Sequence, residues 1–307
     1  MDYLLFYVVL MPLSWLPLWL LYRAADLLAP FMYHVLRYRR KVVDTNLQRS
    51  LPNLTEHQRR QVAHQYYRHM ADLLVEALYN LRATPTQILK HYHIVNREVV
   101  DQFYEQGQSV ILMSAHYNNW EYMVSSLGFQ LHHHGVGVGK PLTDKTFGRL
   151  LNAKRTRYGT EVVDQYNVRQ TTAYYDRYQV PTAYMMLGDQ SPSNPHKSYW
   201  TMFLHQETPF LYGSEYFARK YNYPVLFYTV RKTRRGYYDI AFEPLALSPK
   251  SLPAGEITER YAVRLQQLIE QVPQYWLWSH RRWKKTRPAD MPLRTTLPST
   301  KPQHTSP

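Results

Sequence analysis

The chain has 307 residues, enough for one large domain with a sizeable core, and no cysteine, which excludes disulfides, thiolate metal sites and cysteine nucleophiles. Its formal net charge of +14 calls for an anionic partner, and 28 Tyr with 7 Trp suit a membrane interface, where rings with a polar tip sit at headgroup depth. Charge by itself does not choose among nucleic acid, anionic lipid, a phosphorylated substrate and an acidic carrier protein.

Tyr3 to Tyr22 contains no charged residue, close to the ~20 residues a spanning helix needs. Pro12 and Pro17 are expected to kink it. It opens on Asp2 rather than a basic region and lacks a small-residue cleavage site, so a cleaved signal peptide fits poorly. Arg23, Arg37, Arg39, Arg40 and Lys41 follow. Residues 1–23 are therefore expected to anchor the chain in a membrane, with the basic cluster holding the rest on the cytoplasmic side, whether the segment spans or lies in the interface. A buried core helix is the plainer alternative.

Residues 24–90 read as helical, and Thr55 with Gln58 forms a capping pattern before a helix that carries Val62, Tyr66, Met70, Leu73, Leu74 and Ala77 on one face. Strands are expected at Ser109–Ala115, Gly135–Gly139, Glu161–Val163, Pro181–Leu187, Pro224–Val230 and Tyr237–Phe242. Helical stretches fall at Asn119–Leu131, Lys145–Tyr158, Glu215–Tyr221 and Glu256–Gln271. This alternation predicts an α/β fold, a mixed sheet flanked by helices. From Pro288 to residue 307 the chain is rich in Pro, Thr and Ser and reads as a disordered tail.

The stretch Met113-Ser114-Ala115-His116-Tyr117-Asn118-Asn119-Trp120-Glu121 carries the chemistry. On one continuous helix, residues five apart point roughly 140° away from each other. A His116–Glu121 hydrogen bond therefore needs His116 in a strand-to-helix turn and Glu121 in the first helical turn. The carboxylate would then orient the imidazole, whose other nitrogen takes a proton from a substrate hydroxyl. On spacing alone, a plain helix cap by Asn118 and Glu121 is an equal alternative.

Together with the rest of the chain, this stretch resembles the late lipid A acyltransferases, the lauroyl/myristoyl transferases of the lysophospholipid acyltransferase superfamily. Their hallmark is an apolar strand, a His, four residues and an acidic residue. Asn46-Leu47 with Pro52 and Thr55-Glu56 is similar to an early "NL…FP" segment, Gly188-Asp189-Gln190 to a DQ turn, and Phe203-Leu204 with Thr208-Pro209-Phe210 and Gly213 to "FFG…A…TG". Gln274-Tyr275-Trp276-Leu277-Trp278, His280-Arg281-Arg282-Trp283-Lys284 and Thr286-Arg287-Pro288 resemble the ending "QYLWxHRRFKxRP". Many members carry Asp at the position of Glu121. The stretch after Gln190 also departs from the usual sequence, and that bears on which acceptor is used.

The resemblance implies a glycerolipid-acyltransferase-like domain over residues 24–287 and catalysis by His116 and Glu121. It also implies substrate binding by Lys140, Arg157 and Gln190. Arg149 and Arg155 are further phosphate-binding candidates, with a solvated helix face as the plainer alternative, and Asp189, a carboxylate at the end of the apolar run Tyr184–Leu187, reads as a substrate-binding residue or equally as a turn residue. The acyl donor would be an acyl-carrier protein or coenzyme A thioester, the acceptor a lipid A precursor hydroxyl, and the place the bacterial inner membrane. No cofactor, metal or nucleic acid is expected, and His132-His133-His134 reads as a polar turn. The alternatives are a same-family enzyme acting on another glycolipid or lysophospholipid, and a non-catalytic, membrane-anchored binder of anionic ligands.

Overall fold

The computed structural model describes residues 2–294. A seven-stranded sheet has the order β1-β9-β8-β2-β5-β3-β4, with β1 Tyr92–Ile94, β2 Val110–Ser114, β3 His134–Gly139, β4 Glu161–Asp164, β5 Thr182–Leu187, β8 Val225–Arg234 and β9 Tyr237–Ala246. Strands β8, β2, β5, β3 and β4 run parallel, and β9 pairs antiparallel with β8. The hairpin β6 Ser198–Phe203 and β7 Gln206–Leu211 forms a second, two-stranded sheet.

Both faces of the main sheet are covered, which is why β2 is apolar at nearly every position instead of alternating. Ile111 and Met113 face one core with the helices Gly213–Tyr221 and Glu256–Gln271. Val110 and Leu112 face the other, with the helices Glu98–Glu105 and Trp120–Gln130. The long helix Glu56–Asn80 starts at the expected capping box: Thr55 Oγ1 accepts from the Gln58 N–H and Gln58 Oε1 from the Thr55 N–H.

The N-terminal segment is broken, as its prolines predict. Helix Asp2–Leu13 breaks over the next four residues and helix Leu18–Val35 leaves at 114°. Pro17, extended at ψ 145°, caps the second helix, so the kink follows from proline chemistry. No single described helix is long and apolar enough to cross a membrane; the bent pair passes that test together. Of the tail expected to be disordered, residues 288–294 are described, with the Arg294 N–H donating to the Trp200 carbonyl, and residues 295–307 lie outside the described residues.

Candidate active site

Strand β2 ends at Ser114 directly opposite Leu187 at the end of β5. Two residues beyond that pair stand His116 and Asp189, at the carboxyl ends of adjacent parallel strands, where open α/β sheets place their sites. The His116 Nδ1–H donates to Asp189 Oδ1 at 2.7 Å, and the His116 backbone N–H donates to Oδ2 at 3.0 Å. Trp276 Nε1–H donates to Oδ2 at 2.9 Å. Asp189 is 3 % exposed. Burial alone would raise its pKa, but the adjacent imidazole and the hydrogen bonds from His116 and Trp276 outweigh that and hold the carboxyl below the usual carboxylate range. With Nδ1 protonated, Nε2 is the acceptor, and it receives an N–H from the Gln190 amide at 3.1 Å.

The chain between His116 and the next helix is fixed from several sides. Tyr117 bridges to Trp276, the Asn118 N–H donates to the Tyr275 carbonyl at 2.9 Å, and Asn118 adopts a left-handed φ of 52°. Asn119, not Asn118, caps the helix Trp120–Gln130, accepting from the Tyr122 N–H at 3.1 Å. Gly188 lets the Tyr261 ring lie against the turn, since a Cβ there would meet that ring at 3.0 Å; the Tyr261 hydroxyl donates to the Ser114 carbonyl at 2.8 Å.

The hydrogen bond expected between His116 and Glu121 is not formed in this structure. Glu121 sits in the first helical turn as expected, but its carboxylate is gripped by Arg155, through Nε at 2.9 Å and through Nη2. The reason is competition between partners: β5 delivers Asp189 alongside the imidazole, and Arg155 on the helix Lys145–Arg155 holds the Glu121 carboxylate. The partner on Nδ1 is a residue 73 positions along the chain.

His116, Glu121 and Arg155 share the wall of a cleft of about 410 Å³ that runs beside the helix Glu56–Asn80. Met70, Leu73, Leu74, Ala77, Leu151 and Leu277 supply its apolar lining, and Lys154, Arg155 and Arg157 its cationic side chains. Tyr38 and Arg39, just past the second N-terminal helix, also line it. So does His280, whose ring burial pushes down to about 4, leaving a neutral imidazole that accepts from the Ser191 N–H at 3.1 Å.

The remaining candidates fall in different places. Arg157 lines the cleft, but its guanidinium donates to the Lys154, Asn80 and Ala83 carbonyls, tying down the end of the long helix. Lys140 is exposed beyond the end of β3, and neither it nor Arg149 lines the cleft. The three consecutive histidines have separate partners: Asp101 for His132, the Gln108 carbonyl for His133 and Glu161 for His134. No group of residues that could hold a metal ion occurs among the described residues.

The distant sequence segments converge here. Asn46 donates to the Trp278 and His280 carbonyls at 2.8 and 3.0 Å. Buried Arg282 donates to the Pro209 carbonyl at 2.6 Å and lies over the Phe210 ring, while Trp283 Nε1–H donates to Thr208 Oγ1 at 2.7 Å. The early Asn-Leu, the Thr-Pro-Phe stretch and the aromatic-basic ending thus form one scaffold behind Asp189.

The family model described as bacterial lipid A biosynthesis acyltransferase matches residues 2–285. The lipid A biosynthesis lauroyltransferase of Escherichia coli (strain K12) is 20% identical over 298 residues, covering 92% of this chain and 94% of that protein. The chain belongs to the bacterial lipid A biosynthesis acyltransferase family and is an acyltransferase.

Proposed function

We propose that, as a member of that family, the chain transfers a fatty acyl chain from an acyl thioester to a hydroxyl of a lipid A precursor, with His116 as general base. One observation carries this reading: the imidazole at the cleft wall has Nδ1 committed to a buried, ionised Asp189, which leaves Nε2 as the proton acceptor.

In the proposed reaction the acceptor hydroxyl displaces the Gln190 amide from Nε2. The hydroxyl oxygen attacks the thioester carbonyl carbon while its proton passes to Nε2. Asp189 stabilises the imidazolium and keeps the ring oriented, the part a triad carboxylate plays. The tetrahedral intermediate then breaks its carbon–sulfur bond, and the departing thiolate recovers the proton from His116. The apolar stretch between Met70 and Ala77 accommodates the acyl chain. Glu121, held by Arg155 beside His116, shapes the polar end, and Lys154 and Arg157 present positive charge to anionic groups of the acceptor. Acyl-carrier protein, itself acidic, is the donor that the +14 surface favours. No cofactor is required by these steps.

Membrane attachment through the N-terminal pair belongs to the same reading. Trp15 and Trp19 are each 67 % exposed, beside exposed Leu4, Val8, Leu27 and Val35. Exposed Arg23, Arg37, Arg39 and Lys41 lie within and just after these helices, and exposed aromatic, apolar and basic residues together suit an anionic bilayer surface on the cytoplasmic side of the inner membrane. Tyr38 and Arg39, just past the second of these helices, line the cleft, which supports entry of a lipid acceptor from the interface in this reading.

The test is a membrane-fraction assay offering acyl-carrier-protein and coenzyme A thioesters with a Kdo-bearing lipid A precursor and a lysophospholipid, read by mass spectrometry of the lipids. A gain of one acyl chain on the precursor, lost in His116→Ala, is the expected result. A gain confined to the lysophospholipid would change the acceptor and keep the mechanism; transfer surviving in His116→Ala would overturn the base.

A further inference from the structure

The fully buried carboxylate of Glu76, on the long helix Glu56–Asn80, has no part in the reaction described above. It is nevertheless one bond from the site. Glu76 Oε2 accepts from Asn119 Nδ2 at 2.7 Å and from the Tyr238 hydroxyl at 2.8 Å, and Oε1 accepts from the Tyr22 hydroxyl at 2.8 Å. Each donor comes from a different part of the fold: the cap of the active-site helix, strand β9 and the second N-terminal helix.

The Asn119 amide has both ends committed. Its oxygen accepts from the Tyr122 N–H, and its nitrogen donates to Glu76. Because the two ends differ chemically, Glu76 also fixes which way the amide faces, and with it the cap of the helix whose first turn carries Glu121. Tyr22 is held just as firmly. A Cβ on Gly236 would stand 2.1 Å from its hydroxyl oxygen, the Arg235 guanidinium lies 4.5 Å from its ring centroid, and Arg235 pairs at 2.7 Å with both Asp26 on Tyr22's own helix and Asp72 on the long helix. That N-terminal helix carries exposed Trp19 and Leu27 on another side.

We infer that Glu76 is a positioning residue, the node through which the seating of the N-terminal helix fixes the Asn119 cap and the His116–Glu121 segment. The inference rests on the proposed reading of His116 and deepens it: the apolar N-terminal segment is mechanically part of the active site as well as an attachment.

The test uses the full chain and reads amide hydrogen exchange at Tyr122 together with kcat and KM per folded protein. In Glu76→Met, which leaves the Asn119 donor unpaired, Tyr122 exchange is expected to quicken about fivefold or more, the worth of a lost cap. In the same variant kcat should fall about tenfold or more with KM within about twofold, as for a misplaced catalytic group. Glu76→Gln should restore both, because its carbonyl oxygen accepts from Asn119 while its amide nitrogen donates to the Tyr22 hydroxyl. Tyr22→Phe should give a smaller increase in exchange, in the same direction.

Wild-type exchange and kcat in Glu76→Met overturn the inference, as does a Glu76→Gln variant as impaired as Glu76→Met. An unchanged Tyr22→Phe overturns the link to the N-terminal helix. Should Glu76→Met not fold, Asn119→Asp keeps the cap oxygen, loses the donor to Glu76 and reads the same bond: a kcat equal to wild type overturns the inference. His116→Ala measured alongside separates the two ideas. If that variant stays active the proposed base is wrong, while Tyr122 exchange, which needs no substrate, still decides the role of Glu76.

Discussion

His116 and Asp189 are joined twice, side chain to side chain at 2.7 Å and backbone to side chain at 3.0 Å, so one carboxylate fixes both the ring and the strand end that carries it. A carboxylate that holds only the ring would leave the strand end free to shift.

Removing the imidazole tests the base directly. His116→Ala should cut kcat by roughly a hundred- to ten-thousandfold, the range of general acid–base catalysis, with little change in the thermal midpoint. Steady-state acyl transfer with a differential scanning trace checks it.

Asp189→Asn retains the shape but offers one acceptor oxygen to three donors. The expected loss in kcat is about a hundredfold or more, because the imidazolium is no longer stabilised and the tautomer no longer enforced. Activity within a few-fold of wild type would mean that Asp189 does not serve His116.

Glu121 and Arg155 should behave as one unit. Glu121→Ala and Arg155→Ala are each expected to reduce activity, and the double variant to be no worse than the weaker single one. Their coupling should be on the order of 1–3 kcal/mol, typical of residues sharing a charge pair. Additive losses would place Glu121 in a role independent of Arg155.

Burial pushes the Glu76 carboxyl up to about 7, against hydrogen bonds from Tyr22, Tyr238 and Asn119 and the charge of Lys232, which act in the opposite direction. The folded state therefore binds this proton more tightly than the unfolded chain, whose glutamate titrates near the ordinary value. The associated stability is fully present below about pH 4.3 and is lost as pH rises through about 7, a range worth on the order of 3 kcal/mol. Across pH 5 to 8 the thermal midpoint of wild type should fall relative to that of Glu76→Gln. Parallel curves would contradict the shift.

Replacing Trp15 and Trp19 together by Ala strips two exposed rings from the N-terminal face. The variant should partition from anionic vesicles into solution by about tenfold or more, since each indole contributes substantial interfacial area. Vesicle flotation reads this, and unchanged partitioning would remove the pair from membrane binding.

The parts of the site that are local in sequence were legible and the long-range pairing was not. An apolar run ending at His116 located β2 and the base, and Asp189 stood out as a carboxylate at the end of another apolar run. Only the register Ser114↔Leu187 brings the two together, and spacing within one stretch carries no information about a neighbouring strand. Glu121 was the nearer carboxylate in sequence, and Arg155 claims it in space. The hairpin β6–β7 is not legible in the sequence because its turn is made by Leu204 and His205, both at positive φ (48° and 63°), without the Asn or Gly that usually announces such a turn. The break before Pro17 was foreshadowed by the proline, but its angle depends on packing.

Sheet order has a further consequence during synthesis. Strand β5 lies between β2 and β3 although it is made after β3 and β4, and the indole that steadies Asp189 belongs to Trp276. A chain emerging from the ribosome thus exposes His116 long before the carboxylate arrives, and the carboxylate before its last donor. The His116–Asp189–Trp276 set is therefore completed late, when Trp276 closes behind the strand ends.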